Sequence, residues 1–316
     1  FGTHMVHAIT FKLAQLLQRE FSIETLVHIG FLDNTTHETV QTHYGVYQRN
    51  INQVQTIREI ENILRTNYGG LHQDFSHQTD VVSEVELYSI QQRRSTFRSA
   101  FIKSLSHHEV LAALFGGKEM KLTLRVPCPK CGFFEKKPLH TRIVSVLGDY
   151  ATIESRCFRH GKYTEKVEVS CSEQSYIDVN VLHRNLLKEQ VLMEEDDVLS
   201  IVMKGADWYV GTQIVDQAHC FVGSKIPLRI FAPTFISSTG CKLSKSLIKS
   251  QPDAFVGIPD WITDATLLKN VCKDPSNFLL WLAEVFLVDQ KHFFRDYSAS
   301  EIERLLGIYQ MYINNK

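Results

Sequence analysis

Two short pairs of cysteine and histidine constrain the fold of this chain more than any other feature of its sequence. Cys128 and Cys131 are separated by two residues, and Cys157 and His160 repeat that gap after 25 intervening residues. A two-residue gap lets a tight turn aim both donors of a pair at one ion, as tetrahedral zinc requires. Because protein donors fill all four positions, the sequence predicts a closed, structural Zn²⁺ site on a small ribbon.

The remaining cysteines do not extend this pattern into a disulfide framework. The chain has seven cysteines, an odd number, and four of them are scattered. Cys171 is the nearest to the two pairs and could replace one of their ligands. The others, Cys220, Cys241 and Cys272, are expected to be reduced thiols.

Composition predicts a folded chain of more than one unit. With 316 residues, 44% hydrophobic and 22% charged, the chain is longer than a usual single domain and ordinary in its balance. A net charge of -1 excludes a global positive field for nucleic acid or anionic membranes, although a local basic patch stays possible. The apolar stretch 278–288 is too short to cross a bilayer, and we see no leader, so we expect a cytoplasmic protein without membrane contact.

Hydrophobic periodicity separates an α/β pattern from a β-rich insertion. A helix over 8–20 feeds a buried strand over 25–32, and helical patterns follow at 38–66 and 84–105. In the insertion, Gly148 and Asp149 predict the turn of a hairpin. Strand patterns return at 199–203 and 228–232, with a helix over 214–222 between them. The chain beyond Pro259 is helical, with Pro275 in a first turn after Asp274 and a capping box at Ser298 and Glu301.

These patterns predict an α/β sheet domain that is split by a zinc-ribbon β insertion and followed by a small helical domain. The expected boundaries are 1–117 for the first half of the sheet domain, 118–177 for the insertion, 178–258 for the second half and 259–316 for the helical domain.

A lysine-rich loop follows the strand over 228–232. It reads Gly240-Cys-Lys242-Leu-Ser244-Lys245-Ser246. Two ammonium groups three residues apart on a loop of small residues can close over a polyphosphate and neutralise the charge that grows on departing pyrophosphate. Ser244 and Ser246 are further candidates for nucleotide contacts. A solvated Lys/Ser loop without function is the alternative.

This loop resembles the KMSKS signature of class I aminoacyl-tRNA synthetases, with Leu243 in the methionine position. The resemblance implies a HIGH-type motif at the start of the first helix, where His4 and His7 correspond to the histidines that contact ATP phosphates. Val6 replaces the glycine that normally lets ATP approach closely. The resemblance also implies a Rossmann-like fold, a doubly wound parallel sheet. Because such a sheet needs a central strand before this helix, we expect residues upstream of those printed.

A third segment, Lys204-Gly205-Ala206-Asp207, resembles the Gly-x-Asp segment of the same family. There Gly205 would let a ligand approach the backbone, and Asp207 would accept a hydrogen bond from a ribose hydroxyl or the substrate amine. Gln213 follows on the next helix as a further candidate. Asp33 ends the strand over 25–32 at the sheet edge where substrate sits, although it could equally be a plain strand-ending turn.

The family resemblance, whose layout is most similar to the lysyl enzymes, implies a ligase. Its substrates would be ATP with Mg²⁺ and an amino acid or similar carboxylate, and its products an acyl-adenylate and pyrophosphate. About 60 residues follow the loop, few for an anticodon-binding domain, which favours a stand-alone paralogue that passes the acyl group to a small amine, a thiol or a carrier protein. The alternatives are a true synthetase that charges tRNA, a non-catalytic zinc-ribbon nucleotide-binding module, and a nucleotidyltransferase.

Overall fold

The computed structural model describes residues 1–64, 70–116, 121–170, 177–194 and 197–315. The first part of the chain contains, in order, α1 (Gly2–Phe21), β1 (Leu26–Phe31), β2 (Thr36–Thr42), β3 (Gly45–Asn50), α2 (Ile57–Leu64), α3 (Gly70–Thr79), β4 (Val82–Leu87), α4 (Tyr88–Gln91), α5 (Ser95–Leu105) and α6 (His108–Gly116). The middle contains β5 (Leu124–Arg125), β6 (Phe134–Glu135), β7 (Arg142–Leu147), β8 (Tyr150–Cys157), β9 (Gly161–Glu168) and β10 (Asp178–Val179).

The last part contains α7 (Val181–Leu192), β11 (Ile201–Gly205), α8 (Tyr209–Val222), β12 (Leu228–Ala232), β13 (Phe235–Ile236), α9 (Lys245–Ser250), α10 (Asp260–Thr263), α11 (Pro275–Val288), α12 (Gln290–Phe293), β14 (Tyr297–Ser298) and α13 (Ala299–Asn314). The protein is therefore mixed α/β. None of the helices in the parts described here is long and apolar enough to cross a bilayer.

Two parallel strand pairs lie on either side of the insertion in sequence. β1 pairs with β4, and β11 pairs with β12, each in parallel register along its full length. Helix α1 packs against β1, β11 and β12, so one helix covers both pairs. The two pairs are not hydrogen-bonded to each other among the described residues. The continuous doubly wound sheet therefore stays a prediction.

Two helices expected from the sequence are wrong in part. The tract 38–66 begins with the antiparallel hairpin of β2 and β3, and its described residues form an α-helix first at α2. Gly45 turns this hairpin at a φ of 123°, a conformation that favours glycine. The tract 84–105 begins in β4, because Val82 and Val85 pair with β1, and helices start only after Leu87.

Several local predictions are confirmed. The hairpin between β7 and β8 turns at Gly148, with a φ of 54°. Asp274 caps α11 by accepting from the Asn277 backbone N–H at 3.0 Å. Ser298 and Glu301 form the expected capping box at the start of α13.

Buried hydrophobic residues of the described ranges form three clusters, and two of these clusters hold most of the residues. The larger core joins α1 and β1 to the C-terminal helices, so the segment 259–316 shares its buried residues with the α/β unit. A second core contains Phe97 and Phe101 of α5 together with Ala151 and Ile153 of β8, and α5 contacts β7 and β9. The insertion is thereby anchored on the first part of the chain.

Candidate functional site

The four predicted metal ligands come together at one end of the β7–β8–β9 sheet. Cys157 ends β8, and His160 lies in the turn that leads to β9. Cys128 and Cys131 lie in a second turn, closed by a hydrogen bond from the Gly132 N–H to the Cys128 carbonyl at 2.8 Å. All four donor atoms lie within 4.8 Å of one another. The cluster can therefore hold a metal ion such as zinc.

The individual distances also fit zinc. The Cys131 and Cys157 Sγ atoms are 3.5 Å apart, and the His160 Nδ1 lies 3.5 Å from the Cys128 Sγ and 3.6 Å from the Cys157 Sγ. Ideal tetrahedral zinc bonds would separate two sulfurs by about 3.8 Å and a sulfur from a nitrogen by about 3.6 Å. A zinc ion here would hold the two turns together and leave no position for a substrate.

The metal cluster is fastened to a hairpin that the sequence did not predict. β6 follows the first cysteine pair and hydrogen-bonds with β3, where Tyr47 faces Glu135. The rings of Tyr47 and Phe133 both pack on Phe158, in the second metal-ligand turn, with centroids 5.1 and 5.3 Å away. The ribbon is thus held by the β2–β3 hairpin as well as by the metal ligands. Cys171, the possible substitute ligand, lies outside the described residues.

The predicted phosphate-binding histidines lie in the first two turns of α1. His4 is buried and His7 is half-buried. Burial, followed by the neighbouring His72 and His4, lowers the pKa of His7 to about 3. His7 is therefore a neutral imidazole at neutral pH.

A third histidine, His72 of α3, packs against His7. The two ring centroids are 4.4 Å apart. Burial lowers the pKa of His72 to about 4, so it is neutral as well. His72 belongs to no recognisable motif, and only the packing of α3 on α1 brings it to this position.

The lysine loop and the Gly-x-Asp segment meet. The Lys242 ammonium forms an ion pair with the Asp207 carboxylate, and both side chains are about one-third exposed, at 38% and 35%. A Cβ on Gly205 would lie 2.6 Å from an Asp207 carboxylate oxygen. Glycine at this position therefore allows Asp207 to fold back over the end of β11.

The rest of the lysine loop leads into helix α9. Ser244 caps α9 by accepting from the Leu247 N–H at 3.3 Å. Gly240 turns the loop at a φ of 81°. The side chains of Lys245 and Ser246 lie outside the described residues.

The remaining two candidates differ in their surroundings. Gln213 is exposed on α8. Asp33 is buried and accepts hydrogen bonds from the Ser89 N–H, at 3.0 Å, and from the Ser89 hydroxyl. Burial raises the pKa of Asp33 although these bonds favour its ionised form. Asp33 thus joins the end of β1 to the segment after β4, as a strand-ending turn would, and a substrate contact stays a prediction.

The histidines and the lysine loop share one end of the molecule. Phe1, just before α1, packs on Phe235 of β13 with ring centroids 5.1 Å apart. The lysine loop returns to the same strand, since the Leu243 N–H donates to the Phe235 carbonyl at 2.8 Å. Phe31, which ends β1, lies against His72. The start of α1 and the carboxyl ends of β1 and β11 therefore border the same region.

A buried network of charged and polar side chains connects β11 to α7, α8 and β12. The Glu189 carboxylate accepts from Lys204 at 3.0 Å, His219 at 3.2 Å and Arg229 at 2.7 Å. Burial opposes its ionisation, but the hydrogen bonds from His219 and Arg229 and the charge of Lys204 prevail and lower its pKa to about 2. This network joins α7, α8, β11 and β12, and its members were not predicted to meet.

We expect Glu189→Gln to lower the free energy of unfolding at pH 7 by about 3 kcal/mol, because it removes a buried charge that pairs with Lys204 and Arg229. The pKa is lowered from 4.5 to about 2 in the folded protein, so the stabilisation is complete above pH 4.5 and is lost as the pH falls toward 2. Urea titrations of both proteins at pH 7 and pH 3 measure this difference, of which about 2 kcal/mol should be lost at the lower pH. An equal difference at both values would contradict it.

The sequence matches no family model and no curated protein.

Proposed function

We propose that this protein activates an amino acid, or a similar carboxylate, with ATP to give an acyl-adenylate and pyrophosphate. The observation that carries this proposal is the contact between Lys242 and Asp207 beside the start of α1. Lys242, Asp207 and the histidines of α1 are far apart in sequence and were expected to contact different parts of one nucleotide. They border the same region of the molecule. This agreement supports the resemblance to the class I synthetases.

The position of α1 supports a doubly wound sheet as the finer fold. In such a sheet, one helix after the central strand packs against strands on both sides of the switch point. Here α1 packs against β1 and β11, which belong to different parallel pairs. We therefore assign the two pairs to the two halves of one nucleotide-binding sheet, with the ribbon inserted between them.

The proposed reaction needs no protein nucleophile. The substrate carboxylate oxygen attacks the α-phosphorus of ATP, and the bond to the pyrophosphate oxygen breaks. Catalysis then consists of positioning and charge neutralisation. His4 and His7 would hold phosphate oxygens, Lys242 and Lys245 would neutralise pyrophosphate, and Mg²⁺ would arrive bound to ATP.

The Asp207–Lys242 ion pair would have to open before both residues contact the nucleotide. A partly exposed pair of this kind contributes about 0–1 kcal/mol, so a polyphosphate can take Lys242 from Asp207 at little cost. Asp207 is then free to accept a hydrogen bond from a ribose hydroxyl. ATP would thus replace the Asp207–Lys242 ion pair with two contacts, one between Lys242 and the phosphates and one between Asp207 and the ribose.

For the acceptor we propose a small amine, a thiol or a carrier protein. The segment 259–316 carries eight Asp and Glu against six Lys and Arg, which is a poor platform for an RNA backbone. This segment is also built into the core of the α/β unit.

Transfer to tRNA is the second candidate, and the ribbon is the observation that favours it. Residues 121–170 carry ten Lys and Arg against five Asp and Glu. Lys130, Lys136 and Lys137 are exposed on its surface. Such a surface could follow a phosphate backbone.

The test of the proposed activity is exchange of labelled pyrophosphate into ATP with each amino acid in turn. We expect exchange that depends on one amino acid or a small group of them. ATP binding without exchange, across all amino acids, would instead support a non-catalytic nucleotide-binding module.

We expect adenylate formation to proceed at its full rate without RNA, and total tRNA to remain uncharged, because the C-terminal segment is acidic. A charging assay with labelled amino acid measures this directly. Stable aminoacyl-tRNA from one isoacceptor family would overturn this expectation and establish the second candidate. A steep loss of that tRNA's binding with salt, reduced in a Lys136→Ala and Lys137→Ala double variant, would assign the contact to the ribbon.

A further inference from the structure

His72 is a buried polar side chain whose ring nitrogens have no hydrogen-bond partner among the described residues. Its exposed fraction is 3%. The rings of His7, Phe31 and Phe75 surround it, with centroids 4.4, 5.7 and 6.4 Å away. Among the same described residues, the buried Nδ1 atom of His7 has no hydrogen-bond partner either.

This arrangement is unfavourable for a residue that only packs. Each buried polar atom without a hydrogen bond costs about 1–3 kcal/mol, and such atoms are rare in folded proteins. A phenylalanine would fill similar space against Phe31 and Phe75 without that cost. The unsatisfied nitrogens of two adjacent rings therefore indicate a polar ligand.

The start of α1 favours a negative charge at the same place. No side chain caps α1, and its first turn contains no acidic residue. The N–H groups of a first turn have no partner within the helix, and the helix dipole makes this end positive. His7 lies in the second turn, directly against His72.

We propose that His72 and His7 together bind one phosphate oxyanion at the start of α1. This inference rests on the proposed function, in which the anion is part of the ATP triphosphate, and it adds a residue that the HIGH-like motif does not contain. Each neutral imidazole donates one N–H. Two imidazoles on different helices can therefore bind one oxygen from two directions.

The test is calorimetric titration of sodium tripolyphosphate into the full chain and into His72→Phe. The variant retains the packing and loses both nitrogens. Since a hydrogen bond to a charged group contributes about 1.5–3 kcal/mol, we expect binding to weaken roughly ten- to hundredfold. The melting temperature should stay the same or rise, because the buried nitrogens are gone.

The matched control is His77→Phe, an exposed histidine on the same helix, which should change neither quantity. Imidazole ¹⁵N spectra of the unmodified protein provide a measurement that does not depend on a variant. Tripolyphosphate should shift the signals of His7 and His72 and leave that of His77 in place.

The outcomes separate this inference from the proposed function. If His72→Phe binds tripolyphosphate as tightly as the unmodified protein, or if the His72 signal does not move, the inference is wrong, even where pyrophosphate exchange is normal. If His72→Phe loses tripolyphosphate binding but no amino acid supports exchange, the anion site stands and the proposed reaction fails.

Discussion

Cys131→Ala is expected to remove one bound zinc ion per chain and to unfold the ribbon formed by β7, β8 and β9. The ribbon has few buried apolar residues of its own, and the four donor atoms lie close enough to share one ion. In small zinc modules, the binding free energy, about 10–16 kcal/mol in isolated peptides, is folding free energy. Loss of one zinc ligand should therefore unfold the whole ribbon and expose its backbone amides to solvent.

Elemental analysis and hydrogen exchange over 121–170 measure this effect. Although the ribbon also contacts α5 and β6, its protection should fall more than that of α1 or α11, which lie in the other core. Cys220→Ala is the matched control, since Cys220 is an exposed thiol on α8. Well under half an equivalent of metal in unmodified protein, prepared without chelator, would show that the cluster is not a zinc site.

The metal cluster could be predicted because its geometry is local. Each ligand pair lies within one turn, and a hairpin of ordinary length joins the pairs. The same locality made the caps at Asp274 and Ser298 predictable. In both cases neighbouring residues determine the structure.

The errors came from segments whose structure depends on distant partners. The residues of 38–50 have no clear apolar alternation, and they form strands because β2 and β3 pair in a hairpin, to which β6 of the distant insertion adds a third strand. β4 is a strand because it pairs with β1, about 55 residues earlier. The helical predictions also passed over the β-branched residues of both segments, such as Val40, Val46 and Val85, which favour strands.

The candidate site likewise contains some residues that the sequence predicted and others that it did not. The order of the motifs predicted that Asp207 and the lysine loop serve one ligand, and the structure places Asp207 on Lys242. His72 and Glu189 carry no signal of their own, because each acts through partners on other elements. Such residues emerge only from packing.

Lys245→Ala is expected to slow pyrophosphate exchange by about a hundredfold, equivalent to about 2.7 kcal/mol of transition-state stabilisation, with little change in the KM for the amino acid. The reason is that negative charge on pyrophosphate develops as the bond to the α-phosphorus breaks, so a lysine there stabilises the transition state more than the bound substrate. Lys242→Ala should act in the same direction. Steady-state exchange kinetics, with amino acid and ATP varied separately, measure both values.

A variant of Asp207 can be compared with the lysine variants of the loop. Asp207→Asn removes the charge that holds Lys242 and leaves both lysines in place. It should raise the KM for ATP if the carboxylate contacts the ribose, while keeping the amino-acid KM unchanged. Lys269→Ala, an exposed lysine outside the loop, should leave exchange unaltered. An exchange rate that Lys242→Ala and Lys245→Ala both leave unchanged would remove the loop from the mechanism, because no other residue type in it can neutralise pyrophosphate.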